Sequence, residues 1–389
     1  MDERVVLYGH DTMGLGHLRR NLALAAALRA GLRRPQVLIV SSVPESGRFP
    51  LPDGVDLLVL PGVVKRKDGT YRSRRLDAPL ADIVALRRDV LTAALSSFAP
   101  DLVVVDKVAL GFGGELEPVL PRLRAAGTRL VLGLRDVLDG PAAAAAEWSA
   151  LRTTEALRAY YHEAWIYGDR RVSDLAKDCR VPSSVQHLFR YTGFLAQGRP
   201  AALAGAPPVR DGAPFVLWLL GGGQDGVALA GAFAAVSHPA GFAGVLVAGP
   251  YLPDAARATV RAATRADPGR CVVDFCVDPV RWGRHAAAVV CMGGYNTVTE
   301  LLNTETPVLI VPRVTPRTEQ LVRAQRLSQL GLVDYLNPVD LTPEPLATWL
   351  GGAVRRLRLP RTGIDLDGLR RVRRLADVHL EEARHAVSA

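Results

Sequence analysis

The stretch that decides the fold is Gly293-Gly294-Tyr295-Asn296-Thr297-Val298-Thr299-Glu300-Leu301-Leu302, then Pro307-Val308-Leu309-Ile310-Val311-Pro312-Arg313, then Glu319-Gln320. With the apolar run 288–291 in front of it, it reads as strand, glycine turn, helix, strand, loop, helix. The apolar runs are too short for helices and are bounded by Gly and Pro. The segment also carries chemistry. Glu300, on the first helix, can accept hydrogen bonds from both hydroxyls of a ribose. The turn and helix start from Gly294 to Thr297 offer N–H groups and a partial positive charge to phosphates. The acid–amide pair Glu319-Gln320, opening the next helix, can bond sugar hydroxyls.

Outward from this segment the same grammar repeats. Apolar runs at 5–8, 37–40, 55–60, 101–105 and 130–134 alternate with helix-like stretches at 18–32, 82–98 and 118–126. Further runs at 215–220, 245–248, 272–275 and 308–311 alternate with helices at 227–236, 297–303 and 319–330. Near-continuous apolar strands between helices indicate α/β architecture, with parallel sheets covered on both faces. The Ala/Gly/Pro-rich stretch 197–214 reads as a linker. The expected organisation is a domain over 1–196, a second over 215–365, and a basic C-terminal helix within 366–389 that packs back on the first. Two such domains in tandem are expected to face each other across a cleft at the carboxyl ends of their sheets.

Each half opens with a strand and a glycine-rich turn. The first is Gly9-His10-Asp11-Thr12-Met13-Gly14-Leu15-Gly16-His17. Gly14 and Gly16 allow close approach of a ligand to the backbone, and His17, at the helix start, is a candidate general base for an acceptor hydroxyl. His10 competes for that role. Asp106, ending the strand at 101–105, is either the group that orients the acting histidine or a helix cap. Arg135 and Asp136, after the strand at 130–134, are candidates to line an acceptor pocket. The second turn, Gly221-Gly222-Gly223-Gln224-Asp225-Gly226, matches G-x-G-x-x-G. A dinucleotide site also needs an acid at the end of the following strand. That strand ends Val247-Ala248-Gly249, and its counterpart ends Val40-Ser41-Ser42, so a dehydrogenase is disfavoured. No G-x-x-x-x-G-K-[ST] is present, which disfavours a P-loop NTPase.

Composition narrows the classes further. Over 389 residues, 49% are hydrophobic and 22% charged, an ordinary balance that supports more than one core. The formal charge of +9 is almost all arginine. It reads as attraction to an anionic partner or as compositional bias. Lys65-Arg66-Lys67 and Arg72 through Arg75, with Arg370, Arg371, Arg373 and Arg374 in the tail, suit either a peripheral contact with an acidic membrane face or solvated surface. No aromatic–basic interleaving supports nucleic acid. Cys179, Cys271, Cys276 and Cys291 form no C-x-x-C pair and read as buried free thiols, which suits a reducing compartment. The N-terminus enters a strand at once and no apolar run reaches membrane-spanning length, so the sequence reads as cytoplasmic.

Taken together, the 293–320 segment and the first turn resemble the GT-B glycosyltransferases of the family that includes the MurG peptidoglycan N-acetylglucosaminyltransferase and the diacylglycerol glucosyltransferases. The likeness spans most of the chain and is strongest at 275–331 and 9–20. It implies a GT-B fold of two Rossmann-like domains, the second holding a nucleotide-sugar. The base would lie against backbone at Phe275 and Val277. The ribose would sit on Glu300, and the diphosphate on Gly222, Gly223, Gln224 and the turn Gly294, Tyr295, Asn296 and Thr297. The sugar would be read by Gln320 with Glu319, and Arg313 would offset diphosphate charge. His17 would serve as base for an inverting, single-displacement transfer that uses neither metal nor separate cofactor. The co-substrate would be a UDP-sugar, with GDP- and TDP-sugars as alternatives, and the acceptor a natural product or a lipid-linked hydroxyl. The first turn is longer than is usual in that family, which keeps both His10 and His17 in play. A nucleotide-sugar 2-epimerase of the same fold and a non-catalytic nucleotide-sugar binder are the alternative readings.

Overall fold

Short, doubly buried strands carry the architecture. In the computed structural model, which describes residues 3–10, 15–66, 70–199, 205–209 and 212–388, the chain divides into two units. One comprises Met1–Pro200 with Asp365–Ala389, the other Ala201–Ile364.

The strands of the first unit are β1 (Arg4–Tyr8), β2 (Gln36–Ser41), β3 (Val55–Val59), a small antiparallel hairpin of β4 (Val63–Lys65) and β5 (Tyr71–Ser73), β6 (Leu102–Asp106), β7 (Arg129–Arg135), β8 (Glu163–Tyr167) and β9 (Phe189–Tyr191). Its helices are α1 (Gly16–Arg29), α2 (Leu80–Phe98), α3 (Leu120–Ala125), α4 (Pro141–Ala150), α5 (Thr153–Tyr160), α6 (Leu175–Asp178) and α7 (Ser183–Gln186). The seven-stranded sheet runs β3-β2-β1-β6-β7-β8-β9 and is parallel throughout. Strand order therefore reverses between β1 and β6, where Tyr8 pairs with Val105. Val5, Val6 and Leu7 of β1 and the whole of β6 are buried, as strands covered on both faces must be.

The second unit contains β10 (Phe215–Leu219), α8 (Val227–Ala235), β11 (Ala243–Val247), α9 (Asp254–Ala266), β12 (Arg270–Val273), α10 (Val280–Gly283), β13 (Ala288–Cys291), α11 (Tyr295–Leu302), β14 (Val308–Ile310), α12 (Glu319–Gln329), β15 (Asp334–Tyr335) and α13 (Pro343–Ala353). Its six-stranded parallel sheet runs β12-β11-β10-β13-β14-β15, again reversing beside the first strand. Leu219 pairs with Cys291 at that point, so the turns after β10 and β13 emerge side by side.

The last helix, α14 (Gly368–Ser388), belongs to the first unit and packs on α1, β6 and β7. It buries Leu369, Val372, Ala376, Leu380 and Ala383. The returning chain is pinned by backbone bonds from Phe194 N to Asp365 O (2.8 Å) and from Gln197 N to Leu366 O (3.0 Å). Asp365-Leu366-Asp367 has Asp-x-Asp spacing, but its carboxylates bind Arg371 and Arg370 and anchor the tail. Part of the tail's positive charge is thus paired inside the unit. None of the described helices is long and apolar enough to cross a membrane. The four cysteines are free; Cys179 and Cys291 are buried, whereas Cys271 and Cys276 are only partly so.

Candidate functional site

In the first unit, the groups of interest gather where strand order reverses, the position at which open α/β sheets bind ligands. β1 ends at Tyr8, and Gly9 N donates to Val40 O at 3.0 Å. The chain passes His10, and residues 11–14, Gly14 among them, lie outside the described residues. α1 then begins at Gly16, with no side-chain cap and no acid in its first turn. His17 and Arg20 stand one helical turn apart and so share a face. Because β1 and β6 are neighbours, Asp106 at the end of β6 comes up beside that face.

Asp106 Oδ2 lies 3.0 Å from His17 Nδ1, and receives Arg20 Nε at 2.8 Å and Arg20 Nη2 at 2.5 Å. Burial works to raise the Asp106 pKa, but the charges of Arg20 and His17 outweigh it and hold the carboxyl well below the usual range. Arg20 Nη2 is also 3.2 Å from His17 Nδ1. The carboxylate can only accept, so the 3.0 Å approach of Asp106 Oδ2 to Nδ1 is consistent with a proton on Nδ1 directed at Asp106. Asp106 Oδ1 is buried and makes no hydrogen bond among the described residues.

The two histidines differ in surroundings. Their rings are 4.6 Å apart, centroid to centroid. His10 is 8% exposed, whereas the side chain of His17 is 16% exposed. Burial, followed by the charges of His17 and Lys107, pushes the His10 imidazole well below its ordinary pKa. Its Nδ1 makes no hydrogen bond among the described residues, and its carbonyl accepts from Ser42 Oγ at 2.8 Å. Arg135 and Asp136 follow from the next strand, β7. Asp136 is buried, and a Cβ added to Gly168 would lie 2.6 Å from the Asp136 Cβ, so the aspartate backs onto that glycine.

In the second unit, the turn after β10 is folded tightly. Gly223 has φ +90, and an added Cβ would lie 2.5 Å from Ala248 O; at Gly249 it would lie 2.4 Å from Gly221 O. Tyr251 N donates to Gly222 O at 2.9 Å. Gln224 and Asp225 are exposed. After β13, Gly293 takes φ +88 beneath Ile310, and Gly294 caps α11 with open space where its Cβ would be. Tyr295 and Asn296 are buried; Thr297 and Glu300, one turn apart on α11, are half-buried. Phe275 and Val277, in the segment after β12, are also half-buried. Arg313, just beyond β14, reaches Asp225 Oδ2 at 2.9 Å and pairs with Glu319. Its backbone N–H donates to Gln320 Oε1 at 3.0 Å. The structure thus joins Arg313, Glu319, Gln320 and Asp225 in one network.

Several residues of these sites were not singled out from sequence. Arg20 is one, although its spacing from His17 was a readable signal. Lys107 is another. It takes a left-handed φ of +70 directly after Asp106, and its Nζ meets Glu147 Oε1 at 3.1 Å. Tyr8, Arg87 and Glu115 form a buried network in which Arg87 donates to Glu115 at 2.6 and 2.7 Å, with Tyr8 bonded to the same carboxylate. Arg323, fully buried on α12, donates to Gly293 O at 3.0 Å and lies against the Tyr295 ring. Arg87 and Arg323 leave no sequence signal, because the groups that permit their burial, Glu115 and the Gly293 carbonyl, lie far away in the chain.

No protein-family model matches the chain, and no curated protein sequence matches it. Solved structures do. The glycotransferase of kitacinnamycin matches with a TM-score of 0.60 at 17% identity, over 99% of this chain and 98% of that one. MurG of Acinetobacter baumannii matches at 0.51 and 15% identity, over 99% and 98%. A putative UDP-N-acetylglucosamine 2-epimerase from Listeria monocytogenes matches at 0.63 and 12% identity, over 100% and 98%. At these identities the likeness shows the fold, which is GT-B, with two Rossmann-like domains.

Proposed function

We propose that the protein is an inverting glycosyltransferase that moves a sugar from a nucleoside diphosphate to an acceptor hydroxyl. The observation that carries this reading is the His17–Asp106 pair at the sheet reversal of the first unit. With Nδ1–H directed at an ionised Asp106, Nε2 is the bare nitrogen and can take a proton from an acceptor hydroxyl as that oxygen attacks the anomeric carbon. Asp106 then stabilises the imidazolium. His10, kept neutral by burial, packs against the base without competing for the proton.

The second unit holds the donor in this proposal. Phe275 and Val277 back the nucleobase, and Glu300 accepts the ribose hydroxyls. Gly222, Gly223, Gln224 and the start of α11 from Gly294 to Thr297 receive the diphosphate. The partial positive charge of that helix start offsets the charge of the leaving group, so the proposal needs no metal ion. Glu319 and Gln320 read the sugar. The motif-level resemblance to the family of MurG and the diacylglycerol glucosyltransferases supports this assignment, and makes a lipid-linked hydroxyl or a small natural product the acceptor. The epimerase likeness supports a second reading, elimination and re-addition of the diphosphate. It predicts that a nucleotide-sugar isomerises with no acceptor present.

The test is a thermal-shift panel of millimolar UDP, GDP, TDP and ADP with their sugar conjugates. A ligand that binds only the folded state stabilises it by about 2.7 kcal/mol at a hundredfold excess over Kd. One nucleotide is expected to raise Tm clearly, and Glu300→Ala to remove most of that rise. No rise with any nucleotide would overturn the donor site.

A further inference from the structure

Arg313 lies where a cation for the diphosphate would be sought, yet its surroundings point elsewhere. Its guanidinium faces two carboxylates, Asp225 Oδ2 at 2.9 Å and Glu319, so its charge is already committed. The four residues come from three segments. Asp225 belongs to the turn after β10, Arg313 to the loop after β14, and Glu319 and Gln320 to the start of α12. A backbone N–H can only donate, so the Gln320 atom 3.0 Å from Arg313 N is the carbonyl oxygen. The amide NH2 is thereby at the other end of the side-chain amide from the oxygen that Arg313 holds. On Glu319, Oε1 meets Arg313, while Oε2 is buried and makes no hydrogen bond among the described residues. A buried carboxylate oxygen without a donor is costly unless a ligand supplies one.

We propose that Arg313 is a positioning residue for sugar recognition and not a ligand of the diphosphate. It holds Glu319 Oε2 as an acceptor and Gln320 Nε2 as a donor, a couple that fits two neighbouring hydroxyls of a hexose. One hydroxyl donates to the carboxylate and the next accepts from the amide. A sugar deoxygenated at either position loses one of these bonds. This rests on the donor-site reading above.

The experiment is calorimetric titration of UDP, GDP, TDP and ADP, each beside its glucose conjugate, into the wild type, Arg313→Met, Glu319→Ala and the double variant. For the nucleotide that binds, Arg313→Met is expected to leave the free diphosphate within about twofold and to weaken the glucose conjugate about tenfold, the size of one lost hydrogen bond. Glu319→Ala is expected to do the same, and the double variant no more than either, because the two residues act as one unit. Retained binding of the free nucleotide shows that the variants fold. Equal weakening of diphosphate and conjugate in Arg313→Met would make Arg313 a phosphate ligand and overturn the inference. So would additive losses in the double variant, or a wild type that binds the conjugate no tighter than the free nucleotide. In those three cases the nucleotide site itself stands. A wild type that binds no member of the panel overturns the donor-site reading and this inference together.

Discussion

His17 and His10 show how surroundings assign roles to identical side chains. His17 has an anionic partner and a path to solvent, whereas His10 has burial and nearby positive charge. Replacing His17 with Ala is expected to lower transfer by about 10²- to 10⁴-fold while nucleotide binding persists. Transfer assays beside calorimetry check this, and unchanged turnover would move the base elsewhere. Asp106→Asn should behave differently, because it removes the buried carboxylate charge that both Nε and Nη2 of buried Arg20 meet; a loss of folding stability of about 3–5 kcal/mol is expected in denaturant titration. His238 gives a pH dependence. Trp218 Nε1 donates to its Nε2 at 3.1 Å, and burial, then the charge of Arg270, lowers its pKa to about 4. The unfolded chain takes up that proton near pH 6.5 and the folded chain does not. The stability this neutral ring contributes is therefore complete above pH 6.5 and is lost as pH falls toward 4, by about 1–2 kcal/mol at pH 5. His238→Gln, which can accept the same bond without titrating, should flatten the fall of Tm between pH 7 and 5. Identical slopes would remove His238 from the acid response.

At the scale of elements, the glycine turns do two things at once. They reverse the chain after β10 and β13, and they let loops approach without side chains between them. Gly223→Ala combines a left-handed φ with a Cβ 2.5 Å from Ala248 O. A stability loss of about 1–3 kcal/mol is expected, with weakened nucleotide binding; thermal melts with and without ligand measure both, and a wild-type melt would refute the close approach. These elements were readable in the sequence because an apolar run bounded by glycine is a local signal. β1, β10 and β13 were expected within a residue or so of where they lie. β8 and the hairpin β4–β5 were not assigned. β8 carries Glu163 and Trp165 among its apolar residues, and its burial is completed by His379 of the distant α14, which meets Glu163 at 3.1 Å. α9 is rich in Ala and Arg and buries only Ala256 and Val260, too sparse a stripe to stand out.

At the scale of the whole molecule, the chain leaves its first unit near Pro200 and returns to it at Asp365. The tail is part of that unit's structure. Leu369, Val372 and Leu380 of α14 are almost wholly buried. Burial of each such side chain contributes about 1.5–3 kcal/mol, so the helix as a whole is comparable to the net stability of a domain. A chain ending at Ile364 is expected to lose cooperative unfolding of its first unit, visible in calorimetry as the loss of one transition. A truncated protein that melts like the full chain would make α14 an appendage.

What the sequence determined by itself was the α/β class, the two glycine-turn starts and most core strands. These follow from apolar periodicity and turn residues, which act over a few neighbours along the chain. It also named His17, Asp106, Glu300, Glu319 and Gln320 as chemistry-bearing, from residue type and local position. Only the tertiary structure decided which of them meet. Strand order places Asp106 beside His17 and Arg20, and brings Arg313 to both Asp225 and Glu319. An ion pair depends on distance and burial in space, and sheet order sets both for residues far apart in sequence.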